Sequence, residues 1–291
     1  MFQSFVWNYA AARVFAKREV PHVIYSENGG GAALIPAAIN LKRRIASLMG
    51  ESMFDYRDVL FAGDERVLAS AWYRVAQLRL YFSAGAVRGS TDTNWAEFNL
   101  HPFYRAPRVS PKETYPDQFI SGHNRLGRWF RRLERMGVEM RCRTGNESKL
   151  VRYIYAQKGS QPAENGANLF ADPLRQQFMM EVCSAVGNGC EIFTLESGAA
   201  LVAAIVTFRD RNIRRFYTIY FNMAWGKYSP GMCLLFEVTR RSLAAGMECD
   251  YMTGEHAYKM RLATSVVPLH YADATPQMLA AIGQPQPAIA A

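Results

Sequence analysis

The chain has 291 residues, 49% of them hydrophobic and 20% charged, with a formal net charge of +9. That composition supports one large core or two modest ones and argues against a disordered chain. The positive balance favours an anionic ligand or partner, but there is no RNP motif, zinc finger or helix-turn-helix pattern, which argues against a sequence-specific reader of nucleic acid.

Phe2 to Ala16 reads as a helix, with Phe5, Val6, Tyr9 and Val14 at helical spacing. His22 to Ser26 reads as a strand, and Gly29-Gly30-Gly31 turns it into a second strand, Ala32 to Asn40. Three glycines could also cradle a phosphate, but no GK[ST] follows, so a hairpin is the better reading. Val59 to Phe61 is a short strand, Asp64 to Gln77 a helix capped by Asp64, and Leu78 to Phe82 a further strand. The proline-rich stretch Pro102 to Pro116 marks a boundary between halves.

A basic helix follows, Gly122 to Met136. Arg125, Arg128, Arg132 and Arg135 share one face, and Leu126, Trp129, Phe130 and Leu133 cover another. This is either a solvated face or an arm that touches a phosphorylated ligand. Next come a strand, Val138 to Arg143, a helix near Ser148 to Lys158, and a polar loop, Gly159 to Ala171. Asp172-Pro173 then caps a helix that runs to Val186. Cys190 to Glu196 and Leu201 to Arg209 form a hairpin, with aromatic Arg214 to Asn222 beside it. One face of that strand is core; the other is either core or the lining of an acceptor groove. Pro230 to Ala245 is a helix ending at Gly246, and Cys249 to Met252 and Val266 to Tyr271 are the last strands. The tail past Ala274 is expected to fray.

No apolar run approaches the roughly 20 residues of a membrane helix. No charged region precedes the N-terminal apolar residues, so no signal peptide is expected. Five cysteines without a CxxC pair fit a reducing cytoplasm and point to no metal site.

Two segments carry chemistry. Tyr228-Ser229-Pro230-Gly231-Met232 opens a helix: Ser229 can cap it, Pro230 suits its first position, and Gly231 leaves room for close approach. Free N–H groups at such a start can hold an anionic carrier, although an ordinary capped helix has the same residues. Downstream lies Gly254-Glu255-His256-Ala257-Tyr258-Lys259. Amine acylation needs a base, which Glu255 or His256 could be, and an acid for the leaving thiolate, which Tyr258 could be. Lys259 or Arg261 could steady an anionic substrate. In the structural alternative Glu255 pairs with Arg261 or Lys259, and Tyr258 packs against the sheet. Cys233 reads as a small buried residue.

On the basic helix, Phe170-Ala171-Asp172-Pro173, the turn at Tyr228 and Gly254-Glu255 with Tyr258 to Arg261, the chain resembles the GNAT acyltransferase superfamily over about residues 120 to 272. It looks most like the CelD-type branch, found in polysaccharide biosynthesis and related in architecture to the FemABX aminoacyl transferases. The resemblance implies an α/β fold of two GNAT-like lobes with mixed sheets flanked by helices: residues 1–118 a degenerate lobe, 119–274 the acyltransferase domain, and 275–291 the tail. It implies a cytoplasmic acetyltransferase-like enzyme that takes acyl groups from an acyl-CoA donor to an amine or hydroxyl, with a sugar or cell-envelope precursor as acceptor. Tyr228, Ser229, Gly231 and Met232 would hold the donor; Glu255, His256 and Tyr258 would move protons; Lys259, Arg261, Arg128 and Arg132 would bind substrate. Transfer from charged tRNA, and an inactive glycan- or partner-binding protein, are the alternatives. The sequence departs from the family's Q/R-x-x-G-x-G/A pattern at Tyr228 and Cys233 and matches it at Gly231.

Overall fold

The protein is described here from a computed structural model covering residues 1–88, 95–162 and 168–282. It divides into two compact units, residues 1–104 with 268–291, and residues 105–267. Both are mixed α/β, as expected.

In the first unit, α1 (Phe5–Val14) precedes a hairpin of two ten-residue strands, β1 (Glu19–Asn28) and β2 (Gly31–Asn40). Asn28 faces Gly31 across the Gly29-Gly30 turn, so the glycines make the hairpin and not a phosphate loop. β3 (Ile45–Leu48) and β4 (Leu60–Gly63) pair with different stretches of β2. α2 (Glu65–Ala76) is capped as expected, the Asp64 carboxylate accepting from Arg66 N at 3.0 Å. β5 (Phe82–Val87) starts where the sequence suggested a strand would end; Leu78 and Leu80 pack on the core from the connection. Trp72 anchors this core, 4.7 Å from the ring of Phe98, 5.2 Å from Phe82 and 5.5 Å from Trp95. Burial of each large ring contributes roughly 1.5–3 kcal/mol.

β6 (Asn99–Val109) runs through the stretch that its prolines marked as a boundary. Pro107 gives up only an N–H; its carbonyl still accepts from Tyr251 N at 3.0 Å. α3 (Pro116–Gly122) was not anticipated, while α4 (Asn124–Arg135) is the basic helix. There follow β7 (Glu139–Thr144), α5 (Ser148–Ser160) and α6 (Pro173–Val186), whose cap Asp172 accepts from Leu174 N at 3.0 Å. Part of the polar loop before α6, residues 163–167, lies outside the described residues.

β8 (Cys190–Ser197), β9 (Ala200–Asp210) and β10 (Ile213–Phe221) are successive antiparallel neighbours, and β7 lies on the far side of β8. α7 (Pro230–Ala244) packs on this sheet, and β11 (Glu248–Asp250) returns parallel to β10. The cluster around Glu255 leads into a short helix, α8 (Ala257–Leu262), ahead of β12 (Ser265–Ala274). The tail does not fray at once. α9 (Pro276–Ile282) buries Leu279, and residues 283–291 lie outside the described residues.

Candidate functional site

The site of the second unit is built where two parallel strands part. β10 pairs with β11 only from Ile213 to Arg215, yet continues along β9 to Phe221. The rings of Phe216 and Tyr251 meet edge to face at 5.2 Å at the fork, and the Tyr251 hydroxyl shares a hydrogen bond with Thr239 on α7 at 2.9 Å. Below the fork lies a buried charge network. The Asp250 carboxylate accepts from Arg215 at 2.7 Å, ion-pairs with Arg108 at 3.3 Å, and accepts from its neighbour Met252 N at 2.9 Å. Asp250 is fully buried, so its charge is sustained by these partners.

α7 begins just past the end of β10. Ser229 takes a left-handed conformation (φ 48°), and its hydroxyl caps nothing. The expected Ser229 cap is therefore absent, and the Ser229 carbonyl accepts the ordinary first helical bond, from Cys233 N at 3.0 Å. Gly231 is buried. A Cβ there would lie 3.5 Å from Ile219 and 3.4 Å from Phe221, at ordinary contact distance, so this glycine faces β10 with room for no more than a methyl. Tyr228, ahead of the helix, carries two cations against its ring: the Arg132 guanidinium at 5.3 Å and Lys227 Nζ at 5.0 Å. α4 thus brings its basic face to the start of α7. Gly127 gives α4 a smooth contact on Phe236, and Arg128, one turn before Arg132, is exposed. Burial pushes the Cys233 thiol up to about 12, which suits the structural role read for it.

Residues 121–260 match a family model described as Acetyltransferase (GNAT) domain. The second unit carries a GNAT-type transferase domain. No curated protein matches the sequence. Among solved structures, L-PGS from Bacillus licheniformis is 12% identical, with a TM-score of 0.60 over 94% of this chain and 95% of that one. FemX is 7% identical (TM-score 0.57, 94% and 91% covered). A tandem GNAT protein from the clavulanic acid biosynthesis pathway is 10% identical (TM-score 0.53, 92% and 87% covered). Identities this low speak to the fold alone.

Within the GNAT domain, the cluster after β11 is arranged differently from the sequence expectation. Glu255 pairs with neither Arg261 nor Lys259. Its two oxygens accept from Arg105 Nε and Nη2, both at 2.7 Å. That fork of hydrogen bonds holds the carboxyl below its ordinary range, which weakens it as a base. Lys259 is buried, and its Nζ donates to Thr253 O at 2.7 Å, which pins the loop before α8. Arg261 is exposed, and its carbonyl lies 3.1 Å from His123 Nε2 on the α3–α4 junction. The rings of His256 and Tyr258 stack 5.5 Å apart at 22°. Tyr258 rests on the apolar core on one side, as its structural reading had it. Gly254 (φ 102°) makes the turn: a Cβ there would press to 3.2 Å from the His256 ring.

Arg105, Lys227 and the Asp250 network went unread in the sequence. Lys227 adjoins the quoted turn and could have been found there, whereas nothing local to the proline-rich stretch marks Arg105. No cluster of His, Cys, Asp or Glu able to hold a metal occurs among the described residues, and no helix among them is long and apolar enough to cross a membrane.

Proposed function

We propose that the second unit transfers an acyl group from an acyl-CoA-type donor to an amine or hydroxyl. The observation that carries this is the pair of cations, Arg132 and Lys227, on Tyr228 directly before the first turn of α7. Tyr228 stands where the family pattern has Gln or Arg, and the charge missing there is supplied by its sequence neighbour and by α4. Arg132, Lys227 and the unpaired N–H groups of the first turn, Gly231 and Met232 among them, would hold phosphates. The fork between β10 and β11 would take an extended acyl carrier. When bound, such a donor supplies an activated thioester carbonyl.

Of the three proton-moving residues, we assign the base to His256, because an imidazole ordinarily titrates near neutral pH. His256 would take the proton that the acceptor loses as its bond to the acyl carbon forms. Tyr258 would give a proton to sulfur as the carbon–sulfur bond breaks. The Glu255–Arg105 pair would orient the loop, and Arg128 and Arg261, both exposed, would meet anionic groups of the substrates. Within the superfamily we read the chain as CelD-like, and its acceptor as a sugar or cell-envelope precursor.

The test is thiol release from acetyl-CoA in the presence of amine and amino-sugar acceptors, with melting measured alongside. Acetyl-CoA at about 100 times its dissociation constant should add about 2.7 kcal/mol of stability. Thiol release above the blank that depends on acceptor supports the reading. The absence of both thiol release and stabilisation with every acyl-CoA tried would overturn it, and acceptor-dependent deacylation of aminoacyl-tRNA alone, which frees tRNA and no thiol, would favour the FemABX-like alternative.

A further inference from the structure

We propose that the first unit has a binding face for a neutral pyranose, built on Phe103 and the hydrogen-bonding groups around Asp273. This inference concerns the first unit alone and holds whether or not the second transfers acyl groups.

The face arises from strand alternation. Asp273 pairs with Ser83 in register, and Ala274 with Phe82. Phe82, Ala84, Ala272 and Ala274 belong to the unit's core. Tyr81, Ser83, Tyr271 and Asp273 therefore project to the opposite side. That side is polar and aromatic, where a second packed layer would call for apolar residues. β5 also carries a bulge here: register shifts between His270 and Ala272, and Ala86 adopts φ 61°. An alanine in that region costs about 1–2 kcal/mol. Bulges of this kind re-aim side chains and cluster beside binding sites. Here Tyr271, opposite the bulge, shares a short hydrogen bond with Ser83.

Phe103 supplies a platform. A Cβ on Gly85 would lie 3.2, 3.4 and 3.6 Å from three adjacent atoms of its ring. Such near-equal distances describe a ring laid face-on across the strand, which a side chain at residue 85 would crowd. Phe103 is still 42% exposed, and the Tyr104 ring meets its ring at 4.3 Å and 58°, forming an aromatic corner. Half-open aromatic faces stack on the apolar face of a sugar ring.

Charge decides among ligands. Asp273 would attract a cation if its carboxylate were open, but its oxygens already accept from Asn99 at 3.1 Å and bond His101 Nε2 at 3.1 Å. Burial works against its charge, while hydrogen bonds from Tyr81 and Asn99 and the neighbouring His101 outweigh that and hold it ionised. Tyr81, pushed up to about 12 by partial burial and by Asp273, stays a neutral hydroxyl. The rim therefore offers hydroxyls, an amide and an imidazole around a flat ring. That combination suits a ligand with several hydroxyls and one apolar face, and gives an ammonium ion no spare carboxylate.

The test is saturation-transfer NMR on the full chain with methyl β-D-glucopyranoside, methyl β-D-galactopyranoside and methyl N-acetyl-β-D-glucosaminide, and with tetramethylammonium as the cationic comparison. At least one pyranoside should bind, with saturation concentrated on the protons of one ring face. Phe103→Ala should weaken it about tenfold, the loss expected for an aromatic contact of about 1.4 kcal/mol, and Phe103→Trp should retain it. His101→Ala, at a side chain 61% exposed, should weaken binding without loss of fold and serves if Phe103→Ala proves unstable. Absence of binding by all three pyranosides, equal binding in the folded variants, or preference for tetramethylammonium would each overturn the proposal. Thiol release plays no part in this readout, so its outcome is separate from that of the transfer reaction.

Discussion

The guanidinium that pairs with Glu255 comes from a residue 150 positions earlier. Sequence reading within the cluster offered only Lys259 and Arg261 as partners, and neither is used. Because Arg105 depresses the Glu255 carboxyl in the folded state, their pairing contributes at neutral pH and is lost as pH falls through the folded value. Arg105→Gln should move the Glu255 titration, followed by NMR, back up towards the ordinary carboxylate range; an unmoved titration would mean that another group holds it. For turnover, His256→Ala and Tyr258→Phe should each lower kcat by roughly 10²–10⁴ with little change in donor affinity. Glu255→Gln should cost much less if its role is to position the loop. A fall in melting temperature with turnover per folded molecule preserved, in both His256→Ala and Tyr258→Phe, would make the pair structural.

At the scale of elements, the start of α7 was legible in part. Pro230 and the helix that follows are as read, because a proline at the first position is a local preference. Ser229 was misread, because a hydroxyl cap and a left-handed turn begin with the same residue type, and only the chain's exit from β10 selects between them. Since the Ser229 hydroxyl caps nothing, Ser229→Gly should leave stability within about 1 kcal/mol of the parent in urea denaturation. Gly231 abuts β10 at ordinary contact distance, so Gly231→Ala should be tolerated, while Gly231→Glu forces a carboxylate against Ile219 and Phe221 and should lower the melting temperature before donor binding is even tested. The basic face of α4 was visible from its spacing. What it meets was not: Arg128→Gln with Arg132→Gln should weaken acetyl-CoA binding and flatten its salt dependence. An unaltered salt slope would return α4 to a solvated surface.

At the scale of the whole molecule, the buried ion network under the fork joins β6, β10 and β11 through Arg108, Arg215 and Asp250. Asp250→Ala would remove the carboxylate shared by two guanidiniums, while Arg215 keeps Asp210 and Arg108 keeps Glu248, and should cost about 1–3 kcal/mol in chemical denaturation; no measurable loss would show the network to be dispensable. Local physics, read from one sequence, determined a good deal of this protein. Periodicity placed α2, α4, α6, α7 and the β8–β10 meander, caps at Asp64 and Asp172 followed from residue type, and Gly29-Gly30 made a hairpin. Each depends on neighbours a few residues away. Strand β6 was hidden because prolines are local breakers, and only the folded chain reveals that the Pro107 carbonyl still accepts. The partners of Glu255 and of Asp273, the Arg132 that meets Tyr228, and the platform that Gly85 opens for Phe103, were decided by tertiary structure alone. Charges, rings and absent side chains act through space at a few ångströms, and sequence separation carries no trace of that distance.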